Sequence, residues 1–239
     1  MKKIIKGFLK LLFALVSLLL VLLLIAGTYF GIKGYHMYQD AVKETSMEEM
    51  VESIRDMDGF IEYEELPETY VDAVVSVEDK RFWKHNGVDY LAIGRAVWND
   101  LRTFSFAEGG STITQQLMKN QYFTQEKKLE RKVAEVFAAW ELEKEYSKKE
   151  IFELYVNTIY FGSDYYGIRD AAEGYFGKAP SELTDYEAVM LAGLPNAPSV
   201  YSPDSDPELA KQRMKQVLGR MVDCETISQA EADRIFSEE

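Results

Sequence analysis

The chain has 239 residues, a formal net charge of −13, two histidines and one cysteine. That length holds one good-sized domain, or a domain plus an anchor. The charge excludes a nucleic-acid partner, because a phosphate polymer needs a basic footprint; the lone Cys224 excludes an intrachain disulfide, and so few histidines and cysteines argue against a zinc site.

Lys2, Lys3, Lys6 and Lys10 are the only charges in residues 1–32. Leu11 to Ile32 is free of charge and long enough to cross a bilayer core as a helix, which takes about 20 residues. A cleaved signal peptide is the rival reading. Ala26, Gly27 and Thr28 are small enough for a cleavage site, but a signal's apolar region runs only about 7–15 residues. A retained transmembrane helix over 11–32 is therefore expected. Lysines precede it and only Lys33 directly follows, which puts residues 1–10 in the cytoplasm and the rest outside the cell membrane. The external part then carries −17, that is −13 less the four lysines. Any anionic ligand must be met there by a local basic cluster, not by the overall field.

Residues 33–65 are polar and acidic with a weak helical pattern and are expected to form a stalk, with the domain proper over 66–239. Pro67 suits a first helical turn, and apolar residues at 70, 74 and 77 predict a helix to about Trp83. Its later part begins the stretch SVEDKRFWKHNG, Ser76 to Gly87, which sets Glu78 and Asp79 inside an apolar run. A helix carrying Val74, Val77 and Phe82 inward would hold Glu78 at a buried edge. Burial raises a carboxyl pKa toward that of a working acid or base. An ordinary solvated Glu–Asp pair fits this stretch alone equally well. Asn86-Gly87 breaks the helix. Tyr90 to Leu101 reads as a second helix with Leu91, Ala92, Ala96, Val97 and Leu101 on one face. Phe104 to Gly110, FSFAEGG, fits either a buried loop or a flap that dips into a lipid surface.

Gly109-Gly110 lead into Ser111–Tyr122, where Ser111 or Thr112 can cap a helix. A helix start behind glycines suits an anion, although many such starts bind nothing. Gln115 and Gln116 offer donors and acceptors on neighbouring faces, and Lys119 lies two turns on. Leu129 to Tyr146 is the clearest helix, with a stripe of Leu129, Val133, Val136, Phe137 and Trp140. Arg131 and Lys132 precede Glu135 by four and three residues and share its side of the helix; a solvated ion pair fits this pattern too. Capping boxes at Ser147–Glu150 and Thr184–Glu187 start helices ending near Asn157 and Leu194. Between them, Tyr160 to Tyr175 is rich in tyrosine and glycine, rings that either stack on sugars or pack beside loops. Pro207–Met221 and Gln229–Phe236 are the last helices. No stretch alternates at period two for long, so the external domain is expected to be mainly α with at most a small hairpin.

These motifs come in a recognisable order. Glu78-Asp79-x-x-Phe82-x-x-His85-x-Gly87 resembles the first signature of family 51 glycosyltransferases, the peptidoglycan polymerases. Gly109-Gly-Ser-Thr-Ile-Thr-Gln-Gln116 resembles the second and Arg131-Lys132-x-x-Glu135 the third. Lys149-x-Ile151-Phe-Glu-Leu-Tyr155-Val-Asn157 resembles the fourth, with Phe152 and Val156 where the family more often has leucine. Gly167-Ile168, Ala171-Ala172 and Tyr175-Phe-Gly-Lys178 resemble the fifth. The likeness covers roughly Glu62 to Pro203.

The resemblance implies a mainly α, lysozyme-like glycosyltransferase domain behind one N-terminal transmembrane helix. It implies lipid II as substrate, with the growing glycan chain passed from undecaprenyl diphosphate to the 4-hydroxyl of lipid II and inverted to a β-1,4 bond. Residue by residue it implies Glu78 as the catalytic base and Glu135 as a second catalytic acid that assists at the diphosphate or orients the donor. Asp79, Ser111, Thr112, Gln115, Gln116, Lys119, Arg131, Lys132 and Asn157 are the implied substrate-binding residues. The cations among them face the diphosphate, whose departure needs preorganised positive charge. A divalent cation, Mg or Mn, sharing the diphosphate near Asp79 or Glu135 is compatible with this; no metal ligand and no organic cofactor is assigned. His85 reads as structural, fixing the loop after the first motif. The membrane and cell-wall synthesis proteins are the further partners. The fused penicillin-binding members carry Ser-x-x-Lys, Ser-x-Asn and Lys-Thr-Gly patterns that do not occur here, so an enzyme without a transpeptidase domain is expected. Two rivals stand beside this reading. A tethered glycan hydrolase would not need cations gathered at a diphosphate, and an anchored scaffold would not need two acids beside basic groups.

Overall fold

The computed structural model of the protein describes residues 2–103, 109–124 and 128–238. Helix α1 (Lys2–Glu44) is the one helix among the described residues long and apolar enough to cross a membrane. Its leucines, isoleucines and phenylalanines from Ile4 to Ile25 are exposed. The helix does not stop at Ile32 but runs on for another twelve residues.

Residues 33–65, expected as a stalk, pack into the domain instead. Gly34 lets α1 lie directly on α6 (Leu129–Glu145): an added Cβ would meet Val133 Cβ at 2.5 Å and the Glu130 carbonyl at 2.8 Å. Tyr35 and Tyr38 set their rings 5.1 and 6.1 Å from that of Phe137. Helix α2 (Met47–Arg55) follows a Ser46–Glu49 capping box and buries Met47, Met50, Val51 and Ile54. That box carries the same Ser-x-x-Glu spacing as the boxes recognised further along the chain.

Helix α3 (Glu68–Glu78) packs on α9 (Asp185–Gly193) and α11 (Pro207–Asp223). On the other side of the core, α5 (Ile113–Tyr122) packs on α6 and α7 (Lys148–Val156). Tyr70, Val74, Leu117, Phe152, Leu191 and Met214 are among the side chains buried where these layers meet. Helix α3 ends earlier than its apolar spacing predicts. Asp79 leaves the helical conformation (φ −155°, ψ 73°), and Phe82 is buried from a single 3-10 turn, Phe82–Lys84.

Two expected apolar faces point elsewhere. Helix α4 (Tyr90–Thr103) starts on Asp89, whose carboxylate accepts the Leu91 and Ala92 N–H groups at 2.9 and 3.1 Å. Its Ala96 is buried, but Tyr90, Leu91, Val97 and Trp98 are exposed. Residues 104–108, with both phenylalanines of the segment read as either a buried loop or a flap, lie outside the described residues. In α6 the buried residues are Ala134, Glu135, Ala138, Ala139 and Leu142, not the larger stripe. Small side chains there let α5 approach, while Val133 and Phe137 turn to α1 and Leu129 is exposed.

Strands β1 (Tyr160–Gly162) and β2 (Tyr165–Tyr166) form a short antiparallel hairpin. Helix α8 (Ile168–Phe176) supports it: Tyr175 donates its hydroxyl to the Phe161 carbonyl at 3.0 Å and sets its ring 5.0 Å from that of Tyr165. This tyrosine pair therefore packs the hairpin. Helices α10 (Pro198–Tyr201) and α12 (Gln229–Phe236) complete the chain.

Candidate active site

The site is built where α3 ends and α5 begins. Asp79, just past α3, is buried and turns its carboxylate inward. His85 Nε2 lies 3.1 and 2.9 Å from its two oxygens, and the Ile113 N–H donates to Oδ2 at 3.1 Å. This double engagement pulls the chain out of the helix. Thr112 caps α5 in a box with Gln115 and donates its hydroxyl to the Gly87 carbonyl at 2.6 Å. Gly87 has φ +80°, and an added Cβ would meet the Ala139 carbonyl oxygen at 2.9 Å, so this turn requires glycine. Gln115 is buried, and its Oε1 takes the Thr112 N–H. Asp79, Thr112 and Gln115 thus tie α3, the Gly87 turn and α5 together, and His85 is the clamp on that joint.

Glu78, the last residue of α3, lies on the wall of a cavity of about 430 Å³. Gln116 Nε2 donates to Glu78 Oε2 at 2.8 Å. Burial pushes the Glu78 carboxyl above its ordinary 4.5; the Gln116 hydrogen bond and the charges of Arg213 and Lys119 oppose this, while Asp79 adds to it. The cavity wall also takes in Gly109 to Thr112, Ala92, Arg95 and Ala96 of α4, and Asn196. Helix α11 contributes Arg213, Gln216 and Arg220.

Glu135 is buried on α6, beside the start of α5. Lys132 Nζ donates to Glu135 Oε2 and to Ser111 Oγ, both at 2.7 Å. Arg131 Nε lies 2.9 Å from Glu135 Oε1 in an ion pair without hydrogen-bond alignment, and Arg131 Nη1 donates to the Thr124 carbonyl at 3.0 Å. Lys119 is within electrostatic reach of both acids. Burial pushes its pKa down, Glu135 and Glu78 pull it up, and Arg131 and Lys132 push it down. Glu135, Arg131, Lys132 and Lys119 are not on the cavity wall. They form a cationic group beside it, joined to it through Ser111, which lines the cavity.

Asn157 is not brought to this site. Its side chain donates to the Ile61 and Glu153 carbonyls at 2.8 Å each and accepts the Ile61 N–H at 2.9 Å, which clasps the segment before α3 onto α7. Asp79 and Glu135 are both engaged with protein groups. One is committed to His85 and Ile113, the other to Arg131 and Lys132, and no group of three histidine, cysteine or acidic side chains gathers to hold a metal among the described residues.

The arginines of α11 are what sequence reasoning missed. Arg213 and Arg220 both reach the cavity from a helix far outside the five motifs. Their seven-residue spacing, which puts both on one helix face of an acidic chain, was the available signal. Arg213 is held in place by the Gly193 carbonyl, 3.1 Å from its Nε, and by Gln216 Oε1, 3.1 Å from Nη1.

A family model described as "Transglycosylase" matches residues 44–222. The chain is 46% identical over 168 residues to penicillin-binding protein 1F of Bacillus subtilis (strain 168), covering 70% of this chain and 24% of that protein. It is 38% identical to penicillin-binding protein 1A of Vibrio cholerae, covering 95% of this chain and 29% of that protein. A crystal structure of penicillin-binding protein 1A from Haemophilus influenzae overlaps it with a TM-score of 0.46 at 26% identity, over 75% of this chain and 17% of that one. The chain spans about a quarter of the length of the curated relatives it matches. A match running from the end of α1 through nearly all of α11, over both acids and the glycine-led start of α5, settles the kinship: the chain belongs to the transglycosylase family.

Proposed function

We propose that this protein polymerises peptidoglycan glycan strands at the outer face of the cell membrane. It passes the growing chain from undecaprenyl diphosphate to the 4-hydroxyl of lipid II. The observation that carries this reading is Glu78: an acid on a cavity wall, raised by burial, with a cationic group next to it. Glu78 takes the proton from the acceptor hydroxyl as that oxygen attacks the anomeric carbon. The diphosphate leaves from the opposite face, so an α-linked donor becomes a β-1,4 bond. One carboxylate oxygen is occupied by Gln116, and the other receives the proton.

The leaving diphosphate carries charge that Lys119, Arg131 and Lys132 can meet. Glu135 is buried beneath two of these cations and acts by holding them in place. This is a third role beside the two expected for it, assistance at the diphosphate and orientation of the donor. A local group of this kind answers how a chain of net charge −13 receives an anionic lipid. The exposed apolar side of α4 and the apolar length of α1 both suit a bilayer surface.

Purified protein incubated with lipid II should yield glycan polymer, and incubation with finished peptidoglycan should release nothing. Absence of polymer from lipid II, or cleavage of the finished wall, would reject the reading.

A further inference from the structure

Outside the cavity lining, Glu78 is backed by polar groups from two other helices. Gln116 of α5 donates Nε2–H to Glu78 Oε2 at 2.8 Å. The other end of the same amide, Oε1, receives the hydroxyl of Tyr155 from α7 at 3.4 Å. Tyr155 is fully buried, and Gln116 is its hydroxyl's acceptor among the described residues. An amide has a donor end and an acceptor end of nearly the same shape, so Gln116 by itself does not decide which end meets Glu78. Tyr155 decides it. A buried phenol is costly to leave undonated, and here its acceptor is the carbonyl end, which leaves the N–H end for the carboxylate. Reversal would set Oε1 against the carboxylate and strand the phenol hydrogen, and each stranded buried group is costly.

We propose that Tyr155 is a positioning residue for Glu78: through Gln116 it selects the amide orientation that offers a donor, which keeps this carboxylate ionised and one of its oxygens free for the acceptor. The proposal rests on the reading of Glu78 as base. The other groups facing Glu78 are Asp79 beside it, Lys119 on α5, Arg213 on α11 and the Tyr70 hydroxyl of α3, which is buried without a hydrogen-bond partner. Among the influences that oppose burial, the Gln116 hydrogen bond is larger than either cation. Tyr155 remains a donor throughout, since burial pushes its phenol well above the ordinary 10.0.

The test is the pH profile of lipid II polymerisation by the whole chain. Tyr155→Phe keeps the ring and removes one oxygen. On the acidic limb of kcat/KM its rate should fall about three- to tenfold, with the high-pH plateau kept within about twofold, because the limb moves up in pH. Gln116→Leu should displace the acidic limb at least as far. Adding Tyr155→Phe to Gln116→Leu should then change nothing further, as expected for two residues acting through one bond. An unmoved limb in Tyr155→Phe, or a fully additive loss in the double variant, overturns the proposal. Glu78→Gln, run alongside, isolates the premise. If it still polymerises, the base assignment fails; if it is inactive while Tyr155→Phe titrates like the parent, only the role of Tyr155 fails.

Discussion

Asp79 accepts the N–H of Ile113 at 3.1 Å, which ties the residue after Glu78 to the first residue of α5. Gln116 and Lys119 ride on that helix, so this bond helps fix Glu78 relative to its hydrogen-bond donor and to a nearby cation. Asp79→Asn should therefore lower kcat more than it raises KM and should lower the melting temperature. A charged hydrogen bond of this kind contributes about 1.5–3 kcal/mol. Thermal unfolding and steady-state polymerisation check this; a change in KM alone would mean Asp79 touches substrate.

Glu78→Gln should reduce polymerisation by about 10²- to 10⁴-fold while lipid II still binds. In the parent, activity should rise with pH through a value above the ordinary carboxyl 4.5, because burial raises this group. The stability effect has the opposite sign. A carboxyl whose folded pKa is raised stabilises the fold below its unfolded value, and that contribution is lost as pH climbs through the folded one. The glutamine variant should then melt higher than the parent at neutral pH and lose that advantage in acid. Equal melting temperatures at pH 7 would contradict the burial of the charge.

Lys119→Ala and Arg131→Ala should each weaken binding of a diphosphate lipid by about ten- to a hundredfold, the worth of one charge-assisted contact. The Lys119 pKa lies below 10.5 because of burial and its cationic neighbours, so affinity should begin to fall on the alkaline side earlier than an ordinary lysine would allow. Titration of detergent-solubilised protein with lipid II across pH reads both effects. Unchanged affinity in both variants would remove the leaving-group role.

Asn157→Ala should act on folding. It removes three hydrogen bonds and leaves the buried Ile61 N–H without its partner. A loss of about 2–4 kcal/mol is expected, with KM of the folded fraction kept within about twofold. Chemical denaturation measures the first and initial rates the second.

Leu91→Ser with Trp98→Ser tests the exposed side of α4. The double variant should keep its melting temperature, because neither side chain is in the core. It should turn over lipid II in vesicles several-fold more slowly than the parent, and lose less on substrate dispersed in detergent. Equal losses in both media would mean that this face does not meet a bilayer.

Much of the chain was legible because its signals are local. Ser147–Glu150, Thr184–Glu187 and Ser228 each start a helix where the i, i+3 spacing places a side-chain oxygen over a free N–H. The same spacing at Ser46 was hidden within an acidic segment, so α2 was missed. Faces were harder to read than elements. The large residues of α6 turn to α1, and alanines face the core, a choice made by a partner distant in sequence. Asn157 looks like a ligand group in a linear motif, yet it spends its amide on backbone, while Gln115 gives only its Oε1 to the Thr112 N–H. Arg213 reaches Glu78 from 135 positions away, a distance over which no periodicity speaks.

The glycine contact between α1 and α6 bears on how the domain is mounted on its long apolar helix. From Ile32 to Glu44 the anchor continues as an unbroken rod for about 18 Å at 1.5 Å per residue, with its flank pressed against the domain. With α1 across a bilayer, as proposed, such a mount would work as a mast, not a tether, and would set the altitude and heading of the cleft above the lipid. A bulky residue at position 34 would push α1 off α6 and tilt the mast, and under the proposed function the cleft would lose its bearing on a lipid-borne substrate.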